Sequence, residues 1–234
     1  MALDQGINPK NRILSALPED DLDYLRPGLY PVPLPHKSVL HEQNRLIEHV
    51  YFIEEGVASV LTVTGNGAMS EVGMIGVEGV VGVSALLGAE TSAQHVIVQV
   101  PGAAVRIDAS LCKAVFDQRP AMHALVLRFI DAFLNLSAQT AGCNLRHSAE
   151  QRCARWLLMA SDRARSDTMP MTHDFLSSML GIRRTGVTAI AGGFQRAGLI
   201  EYRRGQVKLV DRSGLEATSC ECYRIDRERL NGLP

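Results

Sequence analysis

Basic side chains are concentrated near the C-terminal end of this sequence. Seven lysines and arginines lie between positions 183 and 212, where Glu201 and Asp211 are the only acidic residues. A local excess of this kind can neutralise phosphates, although the whole chain has a formal net charge of −1. The stretch is therefore predicted to bind a nucleic acid, the alternative being an ordinary solvated face. The seven residues are Arg183, Arg184, Arg196, Arg203, Arg204, Lys208 and Arg212.

Two short helices are predicted to position the first of these residues. Thr172 can cap the first helix through its hydroxyl, and Asp174 places negative charge at the positive helix end. Gly181 can end that helix, because glycine adopts the left-handed conformation without steric cost. A second helix is predicted to start near Arg183, with a buried stripe at helical spacing. That stripe consists of Val187, Ile190, Ala191 and Phe194.

A β-hairpin is predicted after the second helix. Leu199 and Ile200 begin a strand, Arg204 and Gly205 form the turn, and the chain returns through Leu209. Helix, glycine turn, helix and hairpin together make a winged helix-turn-helix, whose second helix can lie in the major groove of DNA. The basic residues then fall at the start of the second helix and at the hairpin tip.

The sequence resembles the Crp/Fnr family of bacterial transcription regulators over nearly its whole length. The order and spacing of four motifs carry this resemblance. They are Thr172…Leu180-Gly181, Arg183-Arg184-Thr185-Gly186-Val187, Ala197-Gly198-Leu199-Ile200 and, upstream, Val50-Tyr51-Phe52-Ile53-Glu54-Glu55-Gly56. The resemblance implies an α+β protein with an N-terminal double-stranded β-helix (jelly-roll) barrel, a long dimerisation helix and a C-terminal winged helix-turn-helix. It also implies a homodimeric, sequence-specific DNA-binding regulator and not an enzyme.

The resemblance further implies which residues contact DNA. Arg184 occupies the position of the family's guanine-reading arginine, where a guanidinium can donate two hydrogen bonds to O6 and N7. Thr185 and Ala189 stand where many members carry a glutamate and a second arginine, so the DNA site is expected to differ from the usual half-site. The expected base contacts are Arg183, Arg184, Thr185 and Thr188. The expected backbone contacts are Thr172, Arg203, Arg204 and Lys208.

Charge is unevenly distributed along the chain. From His147 onward there are 14 Lys+Arg and 10 Asp+Glu, whereas the preceding part has 10 and 15. This asymmetry is typical of an acidic sensor joined to a basic DNA reader. We predict a sensor domain over residues 1–118, a dimerisation helix over 119–146 and a DNA-binding domain over 147–234. The expected partners are double-stranded DNA with a (pseudo)palindromic site, a second copy of the chain and, for an activator, RNA polymerase.

No secretory or membrane segment is expected. Residues 1–12 contain no apolar run of signal-peptide length, and the most apolar later run is interrupted by Arg128 and Asp131. The protein is therefore expected in the cytoplasm.

The five cysteines have no spacing typical of a disulfide framework and are expected to be reduced. Fnr-type sensors hold an iron–sulfur cluster on cysteines near the N-terminus, whereas the first cysteine here is Cys112. No cluster is therefore expected. Cys220 and Cys222 are predicted to lie in one helix, where residues two apart point in different directions. For that reason the sequence assigns them neither a metal nor a redox role.

Residues 29–107 alternate β-branched runs with Gly, Pro and Asn, a pattern typical of an antiparallel barrel or jelly roll. In nucleotide-binding members of the family, a glutamate binds the ribose and an arginine binds the cyclic phosphate. Val83 and Thr91 stand at these positions, in an effector pocket predicted to include Gly82 and Ser92. A buried phosphate needs a cationic partner, and Glu90 would repel it. Cyclic AMP is therefore not expected to bind, and the sequence identifies neither another effector nor a cofactor.

A long helix is predicted from Pro120, because proline fits the first turn of a helix. On one of its faces, apolar side chains recur every seven residues, as in a coiled coil. That face is predicted to form the dimer interface, through Met122, Leu125, Phe129, Ala132 and Leu136. A second apolar flank is predicted to cover the barrel, through Val126, Ile130, Phe133 and Leu134. The alternative is a helix buried wholly within one subunit.

Two other functions stay open at the level of sequence. The barrel could act through protein partners. It could also be a cupin-like metalloenzyme with His41, His49 and His95 as ligands, although the His-x-His and glutamate spacing that cupins use is missing.

Overall fold

A computed structural model of the chain describes residues 9–65 and 67–233. It begins with two short helices, α1 (Arg12–Ser15) and α2 (Glu19–Leu25), and a 3₁₀ turn (Arg26–Gly28). Asn11 fixes the start of α1, because its side-chain oxygen accepts hydrogen bonds from the first free backbone N–H groups of that helix.

The N-terminal domain is built on a six-stranded sheet. Its strands are β1 (Tyr30–Leu34), β2 (Val39–His41), β3 (His49–Val63), β4 (Met69–Ile75), β5 (Val80–Val81) and β6 (His95–Asp108). The strands run in the order β1-β6-β3-β4, with β2 beside β6 and β5 beside β3. Every pairing is antiparallel. Together with the helical domain described below, this sheet confirms the predicted α+β fold class.

Strands β3 and β6 are longer than the short strands that the sequence pattern predicts. They stay paired through a bend at Gly56, which has a φ of 90°, and Gly102. A Cβ atom on Gly102 would lie 2.0 Å from the carbonyl oxygen of Glu55. Glycine is therefore required where the two backbones approach each other, and it bends the strands without ending them.

Three further helices complete this half of the chain: α3 (Val83–Leu86), α4 (Ala109–Gln118) and α5 (Pro120–Arg146). Asp108 caps α4 by accepting hydrogen bonds from the backbone N–H groups of Ser110 and Leu111. The barrel core, which includes Phe52 and Ile107, continues into the first half of α5 through Met122 and Phe129.

The dimer face predicted for α5 is buried within the subunit. Met122, Phe129, Ala132 and Leu136 are at most 9% exposed in the single chain. Leu125, the fifth predicted interface residue, is half-buried and packs against the barrel core. Met122, Phe129 and Ala132 belong to the barrel core, so burial within one subunit does not favour a dimer interface through these five residues, which stays a prediction. Leu134, which was predicted to cover the barrel, is instead 63% exposed.

By length and composition α5 also resembles a membrane span, with a mean hydropathy of 1.3 over its most apolar window. One face of this helix lies on the barrel core, and 28% of that window is buried. Arg128 and Asp131 are exposed, and Nη2 of Arg128 donates a hydrogen bond of 3.0 Å to the carbonyl oxygen of Gly232.

The C-terminal domain contains five helices and three short strands within the described residues. They are α6 (Ala149–Ala164), β7 (Thr168–Pro170), α7 (His173–Leu180), α8 (Arg184–Arg196), β8 (Ile200–Arg203), β9 (Gln206–Leu209), α9 (Arg212–Thr218) and α10 (Cys222–Asn231). The strands form an antiparallel sheet in the order β7-β9-β8. A break between α9 and α10 leaves Cys220 outside the helix that begins at Cys222, so the predicted single helix through both cysteines was wrong.

The two domains share packing surfaces. Side chains of β3 and β4, among them Leu61 and Met74, belong to the same apolar cluster as Trp156 and Leu157 of α6. At the other end, Leu233 joins the barrel core. The guanidinium of Arg12 donates hydrogen bonds to the carbonyl oxygens of Leu230 and Leu233, which attaches the C-terminal segment to α1.

Candidate nucleic-acid interface

Helices α7 and α8 form the predicted helix-turn-helix. The Thr172 hydroxyl accepts a hydrogen bond of 3.1 Å from the backbone N–H of Phe175, as expected of an N-cap. Gly181 ends α7 with a φ of 62°, in the left-handed region. The buried face of α8 is the predicted one, with Ile190 half-buried beside three buried residues. Those three are Val187, Ala191 and Phe194.

The first turn of α8 presents three of the predicted base-contacting residues to solvent. Arg183 is the N-cap residue of α8, and Arg184 and Thr185 follow it, all three exposed. The Nε of Arg184 lies 3.3 Å from Oδ1 of Asp174, and both side chains are about two-thirds exposed, at 66% and 68%. An ion pair this exposed contributes little free energy. The Arg184 guanidinium can therefore exchange Asp174 for a base edge at little cost.

The hydroxyl group of Thr188 is less free to contact a base than the sequence predicts. Its hydroxyl donates a hydrogen bond of 3.1 Å to the carbonyl oxygen of Arg184, and Nδ1 of His173 lies 3.0 Å away on the other side. Because the hydroxyl proton is used at Arg184, the His173 nitrogen is the donor in the second contact. Thr188 therefore has no proton to donate to a base, and only its methyl group and one oxygen lone pair are left to meet it.

The wing is a tight hairpin formed by β8 and β9. Arg204 and Gly205 both have positive φ, at 51° and 75°, which is the geometry of a two-residue type I′ turn. This arrangement exposes Arg203 and Arg204 at the tip. Lys208 is also exposed, but it lies opposite Glu201 in the strand register. The positive charge of the wing is therefore concentrated at its tip.

Tyr202 attaches the wing to the helix pair. Its hydroxyl donates a hydrogen bond of 2.5 Å to the carbonyl oxygen of Met171, and its backbone N–H donates one of 3.0 Å to Oε1 of Gln195. These contacts join β8 to the start of α7 and to the end of α8. The wing and the first turn of α8 are thus held as one unit that can meet DNA together.

Buried polar contacts between the barrel and α6 were not predicted from the sequence. The indole Nε1 of Trp156 donates a hydrogen bond of 2.8 Å to Glu71 on β4. Nε of Arg163 lies 2.9 Å from Oε1 of Glu78, with side chains only 3% and 6% exposed. The single tryptophan of the chain is the one sequence signal that could have pointed to these contacts, because a buried indole N–H usually has a hydrogen-bond partner.

The carboxyl group of Glu71 is perturbed by this burial. Desolvation raises the pKa of Glu71 to about 7, although hydrogen bonds from Ser59 and Trp156 oppose the shift. Two protonation states of a group at the domain contact therefore exist near neutral pH.

The predicted effector pocket is almost closed. Gly82, Val83 and Ser92 line a cavity of about 30 Å³, whereas Thr91 is exposed and does not line it. Phe129 and Phe133 of α5 form one wall, and the lining contains no lysine or arginine. Thirty cubic ångströms is about the space of one water molecule, and ligand pockets are usually at least about 300 Å³.

Close packing of α5 explains the small cavity. A Cβ atom added to Gly79 would lie 2.2 Å from the ring of Phe129, and one added to Gly73 would lie 2.7 Å from the ring of Phe133. The two glycines let the aromatic rings enter the barrel wall. An effector of nucleotide size would have to displace them.

The three histidines considered as metal ligands are not brought together in the part of the chain that the structure describes. His41 is buried, and its Nε2–H donates a hydrogen bond of 2.9 Å to the carbonyl oxygen of His49. Burial lowers the pKa of His41, because it disfavours the imidazolium form. His95 lies on β6 opposite Leu61. This arrangement gives no support to the cupin-like alternative.

Comparisons with known proteins agree with this architecture. A family model described as the Crp-like helix-turn-helix domain matches residues 151–218, and one described as the cyclic nucleotide-binding domain matches residues 31–119. No protein of curated function matches the chain in sequence.

Solved structures share the fold across most of the chain. A Crp/Fnr-family protein from Eubacterium rectale is 15% identical with a TM-score of 0.70, covering 86% of this chain and 94% of that one. FixK2 from Bradyrhizobium japonicum is 14% identical with a TM-score of 0.69, covering 82% and 98%. The c-di-GMP-responsive global regulator CLP of Xanthomonas campestris is 14% identical with a TM-score of 0.68, covering 82% and 99%. At such identities the likeness establishes the fold.

Proposed function

Because this chain belongs to the Crp/Fnr family of transcription regulators, we propose that it is a cytoplasmic, homodimeric regulator that binds a (pseudo)palindromic DNA site. Its barrel domain controls DNA binding, and cyclic AMP is not the effector. The observation that carries the proposal is the exposed first turn of α8 beside the basic wing tip.

Base reading is assigned to the first turn of α8. Arg184 is weakly paired and exposed, so it can donate two hydrogen bonds to a guanine in the major groove. Arg183 and Thr185 lie on the same turn. Arg203, Arg204 and Lys208 on the wing contact phosphates, and they position the helix without reading sequence.

Dimerisation is assigned to the exposed side of α5. Apolar residues follow one another there at alternating spacings of three and four positions, as in a coiled coil. Asp131 is the one polar residue in this stripe. Leu127 is 41% exposed, Leu134 63% and Leu145 84%. A second copy of the chain would cover these leucines and place two α8 helices on successive half-sites. The stripe, which we call the outer seam, consists of Ala124, Leu127, Asp131, Leu134, Ala138, Ala141 and Leu145.

The effector proposal rests on the barrel interior. Val83 faces a cavity of about 30 Å³ that offers no cation for a phosphate, and Thr91 lies outside it. Cyclic AMP would need both a larger space and a positively charged partner. A different effector, or a protein partner acting on the barrel, fits this interior better. If the protein is an activator, RNA polymerase is a further partner.

Enrichment of genomic DNA fragments on the purified protein tests the proposal most directly. We expect fragments that share a palindromic site with two half-sites about one helical turn apart. A gel-shift titration should then show binding to that site that is at least about a thousandfold tighter than to random DNA. Equal affinity for both kinds of DNA would contradict a sequence-specific regulator and favour action through protein partners.

A further inference from the structure

Three cysteines and one histidine meet where the long helix joins the DNA-binding domain. Their ligand atoms all lie within 4.8 Å of one another. Cys143 is on the last turn of α5, and His147 ends that helix. Cys220 precedes α10, and Cys222 is its first residue. The three cysteines are buried, with exposures of 0%, 4% and 1%.

The sulfur positions result from the break between α9 and α10. Because Cys220 is not helical, its Sγ can lie 3.5 Å from Sγ of Cys143. Sγ of Cys222 lies 3.7 Å from Nδ1 of His147. In one continuous helix the side chains of residues 220 and 222 would point in different directions, and the cluster would not form.

Two of the six distances between ligand atoms are close to those of a tetrahedral metal site, and the other four are at most 4.8 Å. With Zn–S bonds of about 2.3 Å and a Zn–N bond of about 2.0 Å, neighbouring ligand atoms should be roughly 3.5 to 3.8 Å apart. The two separations above are 3.5 and 3.7 Å. Three thiolates and one imidazole are also a donor set typical of structural zinc. We propose that Cys143, His147, Cys220 and Cys222 form a zinc site at the junction of α5 and the DNA-binding domain.

Neighbouring groups orient the proposed ligands. Nε2 of His147 lies 3.2 Å from a carboxylate oxygen of Glu221, so Nε2 keeps its proton and Nδ1 presents its lone pair to the cysteines. The side-chain amide of Gln139 donates a hydrogen bond of 3.0 Å to Sγ of Cys222. A carboxylate behind the ligand histidine and an N–H group on a sulfur are common around metal–thiolate sites.

One positive charge lies near this site. Three thiolates, a neutral histidine and Zn²⁺ carry a net charge of −1. The buried guanidinium of Arg155 interacts electrostatically with Cys143 and Cys220 but also forms a buried ion pair with Asp226, so it offsets that charge only in part. It is held in place by Asp226, at 2.9 Å from Nε, and by Thr140, at 3.1 Å from Nη2.

Zinc binding would release the thiol protons of its cysteine ligands to solvent, so zinc affinity should fall at acidic pH.

The site would restrain the junction between domains. Cys143 lies on the helix that carries the outer seam and His147 is its C-cap, whereas Cys222 begins α10 of the DNA-binding domain and Cys220 directly precedes that helix. A zinc ion that holds all four would restrain the DNA-binding domain relative to α5. Loss of the ion would remove this restraint, so the orientation of α8 in a dimer would depend on zinc.

Metal analysis of the full-length protein, reduced and incubated with Zn²⁺ and then dialysed, tests the proposal. We expect about one tightly bound zinc per chain. Replacement by Co²⁺ should give the sulfur-to-cobalt charge-transfer absorption and the intense d–d bands of a tetrahedral site. Cys220→Ser and Cys222→Ser should weaken zinc binding at least about a hundredfold, and Glu221→Gln by roughly ten- to a hundredfold. Cys153→Ser is the matched control, because Cys153 is equally buried in the same domain but outside the cluster.

Folding is checked separately from metal binding, so that a variant that binds no zinc because it is misfolded is not mistaken for one that has lost a ligand. Circular dichroism of each variant without metal should match that of the metal-free wild type. Wild-type protein that is reduced and folded yet binds no zinc would overturn the proposal. So would a Cys143–Cys220 disulfide that forms readily in air and persists in the presence of excess Zn²⁺, because it would assign the pair to redox chemistry. Zinc retained by Cys220→Ser and Cys222→Ser would place the ion elsewhere.

Discussion

The indole nitrogen of Trp156 donates a 2.8 Å hydrogen bond to the carboxyl group of Glu71, across the contact between α6 and the barrel. Trp156 is the single tryptophan of the chain. Its donor reaches a buried acid whose pKa is raised to about 7. The contact between sensor and reader therefore includes a titratable group, and the one tryptophan reports on it directly.

Stability should fall as the pH rises through the range in which Glu71 ionises. Its pKa is about 7 in the folded protein and 4.5 in an ordinary environment, so the folded state holds this proton more tightly than the unfolded state. The favourable contribution is complete below about pH 4.5 and is lost between that value and about pH 7. Its upper limit is roughly 3 kcal/mol, since a shift of one unit corresponds to about 1.4 kcal/mol.

Glu71→Gln isolates this effect, because the amide oxygen can still accept from Trp156 but cannot ionise. Urea unfolding followed by Trp156 fluorescence, at pH values from 5 to 8, gives the free energy of unfolding of both proteins. The difference between wild type and variant should change across this range and become constant above about pH 7. A pH-independent difference would show that Glu71 is ionised throughout.

Arg184→Ala should weaken binding to the specific DNA site by roughly 1–3 kcal/mol and relax the preference at one base position. The reason is the loss of a bidentate guanidinium at the first turn of α8. Fluorescence anisotropy with the selected site and with its single-base variants measures both effects.

Arg224→Ala is the matched control for this experiment. Both arginines are exposed to a similar extent, at 66% and 69%, and each pairs with one acidic side chain, but Arg224 lies on α10. Arg224→Ala should bind like the wild type. If Arg184→Ala loses equal affinity for specific and random DNA, Arg184 contacts phosphate and reads no base.

Leu134→Glu should give a folded monomer. Leu134 is 63% exposed in the single chain, so the charge is solvated in the monomer, whereas two glutamates would face each other in the outer seam of a dimer. Light scattering should show the lower mass, and palindromic-site binding should fall far more than binding to random DNA. Leu46→Glu, at a leucine that is 68% exposed on the barrel, should remain dimeric.

Phe129→Glu should behave differently, because Phe129 is 3% exposed and packs on the barrel. Burying a carboxylate there should destabilise or unfold the subunit. The opposite result is a Phe129→Glu protein that is folded but monomeric, together with a Leu134→Glu protein that is still dimeric. It would show that the dimer forms through the face of α5 that the heptad spacing predicted.

Cyclic AMP should not bind at physiological concentrations. Calorimetry with the purified protein is expected to show no heat of binding, because the cavity near Val83 is about 30 Å³ and lacks a cation. Micromolar affinity, with cyclic AMP protecting the barrel from hydrogen exchange, would mean that Phe129 and Phe133 move aside on binding.

Local chemistry determined much of the reader from the sequence alone. Thr172 caps α7, Gly181 ends it, and Arg204 with Gly205 makes the hairpin turn, all as predicted. These features depend on hydrogen bonds and backbone conformations of residues that are close in the chain. For the same reason the winged helix-turn-helix could be recognised before any tertiary contact was known.

The two faces of α5 could not be distinguished in this way. Both carry apolar side chains at helical spacing, and a period of seven residues describes either of them. Only the packed barrel decides that Phe129 is buried within the subunit while Leu134 is exposed to solvent. The physical reason is that burial depends on what the rest of the chain places opposite a helix face.

Contacts between distant parts of the chain were likewise decided by tertiary structure. Trp156 and Glu71 are 85 positions apart, and Cys143 and Cys220 are 77 apart. No local periodicity relates such residues. The sequence supplied their chemistry, a donor for an acid and two thiols, but only the packing of α6 on the barrel and of the segment before α10 on α5 brought each pair within hydrogen-bonding distance.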